Sequence, residues 1–229
     1  VDGQGNFGSP DGDSAAAIPR YAVCQTTGIR APRAIELIPF RHLSATNRQA
    51  DLIVICPRDF RQQAYRLMKL RYIQGVKVAV VPLDEIYNEF GYGLTDASAI
   101  KQFLGYAFHH WQSPAPRYVL LAGNGSYDPY RNMAGSSVRD SYSALNIMPV
   151  HMGPSKYKWA ALDGWYVQVN GSDKLPDMAL GRIPVETPLL FKNVVDKIAA
   201  FEAIPTNDLR RLKALLVADA KDVAGNLDF

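Results

Sequence analysis

Cysteine and histidine are scarce in this chain, two and four residues respectively among 229. Cys24 and Cys56 lie in unlike contexts, with neither the spacing of a zinc site nor that of a redox pair. Both read as structural thiols, and a bridge between them stays open. Charge of one sign is lacking as well. Lys and Arg number 25 against 22 Asp and Glu, a formal charge of +3. Without a clustered basic face, that excess leaves no electrostatic footprint for nucleic acid. The densest basic stretch, Arg58 to Arg71, shares its helix with an apolar stripe and reads as a solvated outer face. Long apolar runs are missing too. Nothing approaches the roughly 18 to 20 residues of a membrane-spanning helix, and the first residues lack the basic and apolar regions of a signal peptide.

What remains is ordinary globular composition, 48% hydrophobic and 21% charged, with length enough for one large core. Residues 1–19 are rich in Gly, Asp, Ser and Ala and read as a poorly ordered upstream tail or edge hairpin. A string within them, Asp2-Gly-Gln-Gly-Asn-Phe-Gly-Ser followed by Asp11-Gly-Asp-Ser, resembles a stretch of bacterial DNA gyrase. Nothing after Arg20 continues that pattern, so it reads as coincidence or as a short foreign remnant. The first residue is not Met, and the chain stops at Leu227-Asp228-Phe229 just after an apparent strand. Both ends therefore read as cuts in a longer polypeptide.

From Leu52 onward, short β-rich runs alternate with helical patterns, the signature of βαβ units. Strands are expected at Leu52 to Cys56, Lys77 to Val81, Tyr118 to Ala122, Met178 to Ile183 and Ala214 to Ala218. Most are apolar on both faces, as strands between two helix layers must be. The fold class expected is α/β, a three-layer sandwich around a mainly parallel sheet. Phe60, Ala64, Leu67 and Met68 mark one helix, closed by Gly75. Ile100, Phe103, Leu104, Ala107, Phe108 and Trp111 mark a second, which Thr95 should cap and Pro114 should stop. Thr187-Pro188 opens a third, striped by Phe191, Val194, Val195, Ile198 and Phe201. The irregular stretch from Gly123 to Asp163 follows a strand's carboxyl end, where open α/β sheets bind their ligands.

Three chemistries can be weighed. A cysteine nucleophile needs an imidazole beside it. His42, His109, His110 and His151 are available, but none pairs in sequence with Cys24 or Cys56. The turn Gly123-Asn-Gly-Ser-Tyr-Asp128 lacks the Lys-Ser/Thr pair of a phosphate loop, the third glycine of a dinucleotide loop and the setting of a nucleophile elbow around Ser126. The turn Asn170-Gly-Ser-Asp173-Lys-Leu175-Pro-Asp177 is different. Its two carboxylates, amide and main-chain carbonyls are the oxygen donors that a hard cation takes.

Several blocks in order resemble the gingipain family of cysteine peptidases. They are Ala50-Asp-Leu-Ile-Val-Ile55 with Asp59-Phe60, Leu70-Arg71 with Gly75-Val-Lys-Val78, Glu85-Ile-Tyr with Phe90-Gly-Tyr-Gly, and Ala99-Ile100 with Phe103-Leu104. Arg117-Tyr-Val-Leu-Leu121 with Gly123 and Ser126-Tyr-Asp128, and Leu175-Pro-Asp177-Met-Ala-Leu-Gly-Arg-Ile-Pro184 with Lys197 and Glu202, continue the series. The resemblance spans residues 20–229. It implies a peptidase domain of two caspase-like α/β subdomains, of which this is the first, with the catalytic His and Cys in the second, beyond Phe229. Leu215-Leu-Val-Ala-Asp219 then resembles the strand leading into that second subdomain. The fragment alone should not cleave peptides.

The same resemblance implies a structural calcium, held through Asn124, Asp173 and Asp177 with carbonyls of Asn170 and Leu175. Where the family has an aspartate this chain has Asn124, which removes one negative charge from the shell. The implied partners are a downstream catalytic subdomain of the same chain and a protein or peptide substrate. The implied setting is secreted or at the cell surface, linked to type IX secretion processing. Two other readings stand beside this one: a non-enzymatic adhesion or scaffolding module that keeps the fold without the Cys/His dyad, and a small-ligand domain using the Gly123–Asp163 insertion as its pocket.

Overall fold

A computed structural model describes residues 41–129, 146–155 and 159–215, all within the compact unit Phe40–Phe229. The chain lays down β1 (Leu52–Cys56), α1 (Arg61–Ile73), β2 (Val78–Pro82), α2 (Leu83–Phe90), α3 (Ala97–His110) and β3 (Tyr118–Ala122). A short antiparallel pair, β4 (Met152–Pro154) and β5 (Trp159–Ala161), precedes β6 (Ala179–Ile183) and α4 (Pro188–Glu202). The main sheet has the order β2-β1-β3-β6 and every pairing in it is parallel.

Alternation along β1 explains the layers, since successive side chains of a strand point to opposite faces. Ile53 and Ile55 face α2 and α3 and join Ile86, Ile100 and Phe103 in one core. Val54 and Cys56 face α1 and α4, packing with Phe60, Leu67 and Phe191 in a second core. A strand buried on both sides must be apolar at nearly every position, and Leu-Ile-Val-Ile-Cys is. The expected three-layer α/β sandwich with a parallel sheet is the architecture found.

Element boundaries follow local chemistry. Gly75 takes φ +81° after α1, a left-handed conformation that a side chain would resist. Thr187 caps α4 by accepting from the Leu190 N–H at 3.2 Å, and Pro188 fills the first turn, where its missing N–H costs nothing. The cap of α3 is a correction: it is Asp96, not Thr95. Asp96 has extended backbone angles, and its carboxylate accepts from the Ser98 N–H at 3.1 Å and from the Ser98 hydroxyl. These bonds hold the Asp96 carboxyl below the ordinary aspartate range, the Ser98 side chain first among the causes.

A lowered folded-state pKa contributes stability above the unfolded value and loses it as pH falls through the folded one. Asp96→Ala is therefore expected to cost about 1 kcal/mol near neutrality, with the difference from the parent shrinking toward pH 3. Urea unfolding at pH 7 and pH 3 checks this; a penalty independent of pH contradicts it.

Residues 216–218 of the expected strand Ala214–Ala218, the tail 1–19 and Cys24 lie outside the described residues.

Candidate functional site

In a parallel sheet all the carboxyl ends of the strands share one edge, and the chain departs from regularity there after β3. Arg182, on β6, organises that edge. Its Nε and Nη2 donate to the two carboxylate oxygens of Asp163, each at 2.7 Å, a fork-on-fork pair. Its Nη1 donates to the carbonyls of Gly123 and Met148, both at 3.1 Å, and Nη2 reaches the Pro149 carbonyl at 3.1 Å. One guanidinium thus ties the strand to the turn after β3, to the 148–149 segment and to the short 3-10 turn Asp163–Val167. Tyr166, fully buried in that turn, donates its hydroxyl to the Pro149 carbonyl at 2.6 Å.

This arrangement also accounts for the glycine-rich turn. A Cβ on Gly125 would lie 2.0 Å from Val150 Cγ2, and one on Gly123 would lie 2.9 Å from Ile147 Cγ2. The glycines let residues 146–150 cross closely over the strand end. They do not cradle a phosphate. The Ser126 hydroxyl accepts from the Asp128 N–H at 3.1 Å, a local turn bond rather than an activated nucleophile.

Cys56 is a free, fully buried thiol at the carboxyl end of β1. Burial pushes its pKa up to about 12, against a smaller lowering by Arg61, so the thiolate is suppressed. The charged groups that reach it are Arg61 and Asp84, with no histidine among them. The histidines lie elsewhere. A ring nitrogen of His109 lies 3.0 Å from the Val169 carbonyl, and His110 packs on the Tyr106 ring. His151 stacks on Trp165 with ring centroids 3.8 Å apart, a partnership that sequence reading missed because no spacing signals it.

Asn170, Asp173, Leu175 and Asp177 share one turn, but Asn124 does not reach it. The Asn124 N–H donates to the Val185 carbonyl and its Nδ2 to Glu186, at the carboxyl edge. The turn enters β6 from the amino edge, where the Ala179 N–H donates to the Arg117 carbonyl. The five residues of β6 lie between, about 16 Å of strand. The implied five-residue calcium shell therefore does not form as a set. Within the turn, Asp177 Oδ2 accepts the N–H groups of Val169 and Asn170 at 2.8 and 2.9 Å, and Asp173 Oδ1 accepts from Leu175 at 3.0 Å. Gly171 and Lys174, at φ +72° and +62°, supply its two left-handed bends. Among the described residues, no three His, Cys, Asp or Glu side chains converge as a metal cluster. Nor is any described helix long and apolar enough to cross a membrane.

Comparison with known proteins bears on both the fold and the family. The crystal structure of dimeric latent PorU from Porphyromonas gingivalis is similar over 76% of this chain, with a TM-score of 0.61 and 23% identity. A solved structure described only as a protease is similar over 69%, with a TM-score of 0.51 and 21% identity. Identities this low speak for the fold. The chain spans 17% of the PorU chain and 29% of the protease. Comparison with curated proteins found no match. The model of Peptidase family C25, however, matches residues 45–228, so the chain belongs to that family, the gingipain family of cysteine peptidases.

Proposed function

We propose that this chain is the non-catalytic α/β subdomain of a secreted or cell-surface cysteine endopeptidase, bracing a catalytic subdomain that other residues of a longer protein supply. The family match supports the reaction class, hydrolysis of peptide bonds in protein substrates. The state of Cys56 carries the non-catalytic part of the reading. A nucleophilic cysteine needs a thiolate and a neighbouring base. Cys56 has burial and a raised pKa instead, beneath helices on which it is a packing residue. A role near type IX secretion belongs to the same reading through the family resemblance.

The experiment is peptide cleavage by the purified chain, alone and with Cys56→Ala. The proposal expects no turnover from either. Thiol-dependent turnover that disappears in Cys56→Ala would falsify it.

Calcium enters as a hypothesis at the 170–177 turn alone. The remaining donors are the carboxylate of Asp173, the second oxygen of Asp177 and the carbonyls of Asn170 and Leu175, with water left to complete the six to eight oxygens calcium takes. In thermal unfolding, millimolar calcium is expected to raise the Tm of the parent and not of Asp173→Ala. A parent Tm equal in calcium and in EDTA removes calcium from the account.

A further inference from the structure

A cavity of about 550 Å³ lies beside α3, walled by β4, Leu162, the Asp163–Val167 turn and the 170–177 turn. It is of a size that takes small molecules. Three basic side chains line it, Lys101, His151 and Lys174, and among the described residues no carboxylate does. None of the three has an ion-pair partner among the described residues, where the six ion pairs use other groups.

The wall is built rather than incidental. The Lys101 ammonium sits 4.3 Å from the centroid of the Trp165 ring, while His151 stacks on the same indole at 3.8 Å, tilted by 10°. One indole thus carries both the ammonium and the imidazole on the wall of the cavity. Holding these groups in place before a ligand arrives removes ordering cost from binding. Beside them, Leu162, Pro154 and the indole give the cavity an apolar wall. Gly164 and Gly171 meet nothing within 4 Å where a Cβ would be, which leaves backbone open to the space.

We propose that this cavity binds a small organic molecule bearing carboxylate or phosphate groups, with Lys101 and Lys174 as its cationic contacts, the His151 ring N–H as a further donor, and Leu162 and Pro154 against its carbon skeleton. Like charges around one concavity repel, and an anionic occupant turns that repulsion into attraction. The ordinary pKa values are already displaced in the sense this requires. His151 is pushed down first by burial and then by the charge of Lys101, with Asp96 pulling weakly the other way, and burial pushes Lys101 down. The charged groups facing His151 are thus Lys101 on α3 and Asp96 at its cap, with Lys174 across the cavity.

Citrate and inorganic phosphate are suitable probes, followed by the ring-proton NMR signals of His151 in the 229-residue chain. The proposal expects saturable shifts at His151 but not at His110, and a titration midpoint for His151 that rises when ligand is bound. Lys101→Met keeps the aliphatic stem on Trp165 and is expected to weaken binding at least tenfold. Gly164→Leu adds a side chain to the cavity wall and is expected to weaken binding with the charges intact. Citrate binding more tightly than phosphate indicates a polycarboxylate ligand, and the reverse order a phosphorylated one. Absence of saturation by about 10 mM of either probe, a range of only a few kcal/mol in affinity, overturns the proposal. Binding unchanged in both variants overturns it as well.

Discussion

Replacing Arg182 with methionine is expected to cost about 3–5 kcal/mol of stability, the range seen when one partner of a buried ion pair is removed. The side chain of Arg182 is 12% exposed and makes five hydrogen bonds, two to Asp163 and three to main-chain carbonyls. Methionine matches much of its volume but leaves the Asp163 carboxylate without its partner and three carbonyls without a donor. Arg182→Lys is expected to fall between the two. An ammonium keeps the charge but has no planar fork with which to hold both carboxylate oxygens and still reach Gly123, Met148 and Pro149. Asp163 is itself 28% exposed, so water relieves part of the loss and the lower half of the range is expected. Removing both partners in Arg182→Met/Asp163→Asn should recover part of the penalty. Urea midpoints of the parent, the two single variants and the double variant give the coupling directly, and additive single effects would show that the pair is not a unit.

Phe103→Ala is expected to cost a similar 3–5 kcal/mol, or roughly that, through a different mechanism, loss of transfer energy plus the cavity left behind. Phe103 is fully buried on α3, with Phe90 at 5.5 Å and Trp111 at 5.8 Å between ring centroids. It is the ring on which the α2–α3 layer closes over the sheet. The informative control is Phe201, which belongs to the apolar stripe of α4 in sequence but is 52% exposed, with the Arg211 guanidinium 5.2 Å from its ring. Phe201→Ala is expected to change stability by no more than about 0.5 kcal/mol. Equal penalties at the two positions would mean that the layers are not arranged as described.

The framework was legible because burial on two faces leaves a plain mark. A strand covered on both sides is an unbroken apolar run, and β1 and β3 begin and end where their runs do. β2 and β6 each start one residue later than expected, at Val78 and Ala179, since strand ends grade into loops whose bonding the pattern does not show. The α3 cap was assigned one residue early because Thr95 and Asp96 are both good caps, and backbone angles decide between them. The edge was less legible. The bonds from Arg182 to Gly123 and Asp163 span 59 and 19 residues, so no local periodicity announces them. The glycines of the Gly123–Gly125 turn were visible, but the segment that requires them lies more than twenty residues on. The separation of Asn124 from the 170–177 turn was hidden for a related reason. Asn124 and Asp177 flank neighbouring strands in the sheet, and only their parallel direction shows that they sit at opposite edges.

Thiol reactivity is the most direct test of the central proposal, that the one described cysteine serves packing and is not a nucleophile. In a Cys24→Ser background, Cys56 should react with a thiol reagent at pH 8 no faster than the protein unfolds, and labelling should become complete only in denaturant. Rapid stoichiometric labelling of the native protein at neutral pH would contradict the account, because it would place an accessible thiolate where the structure places a buried thiol.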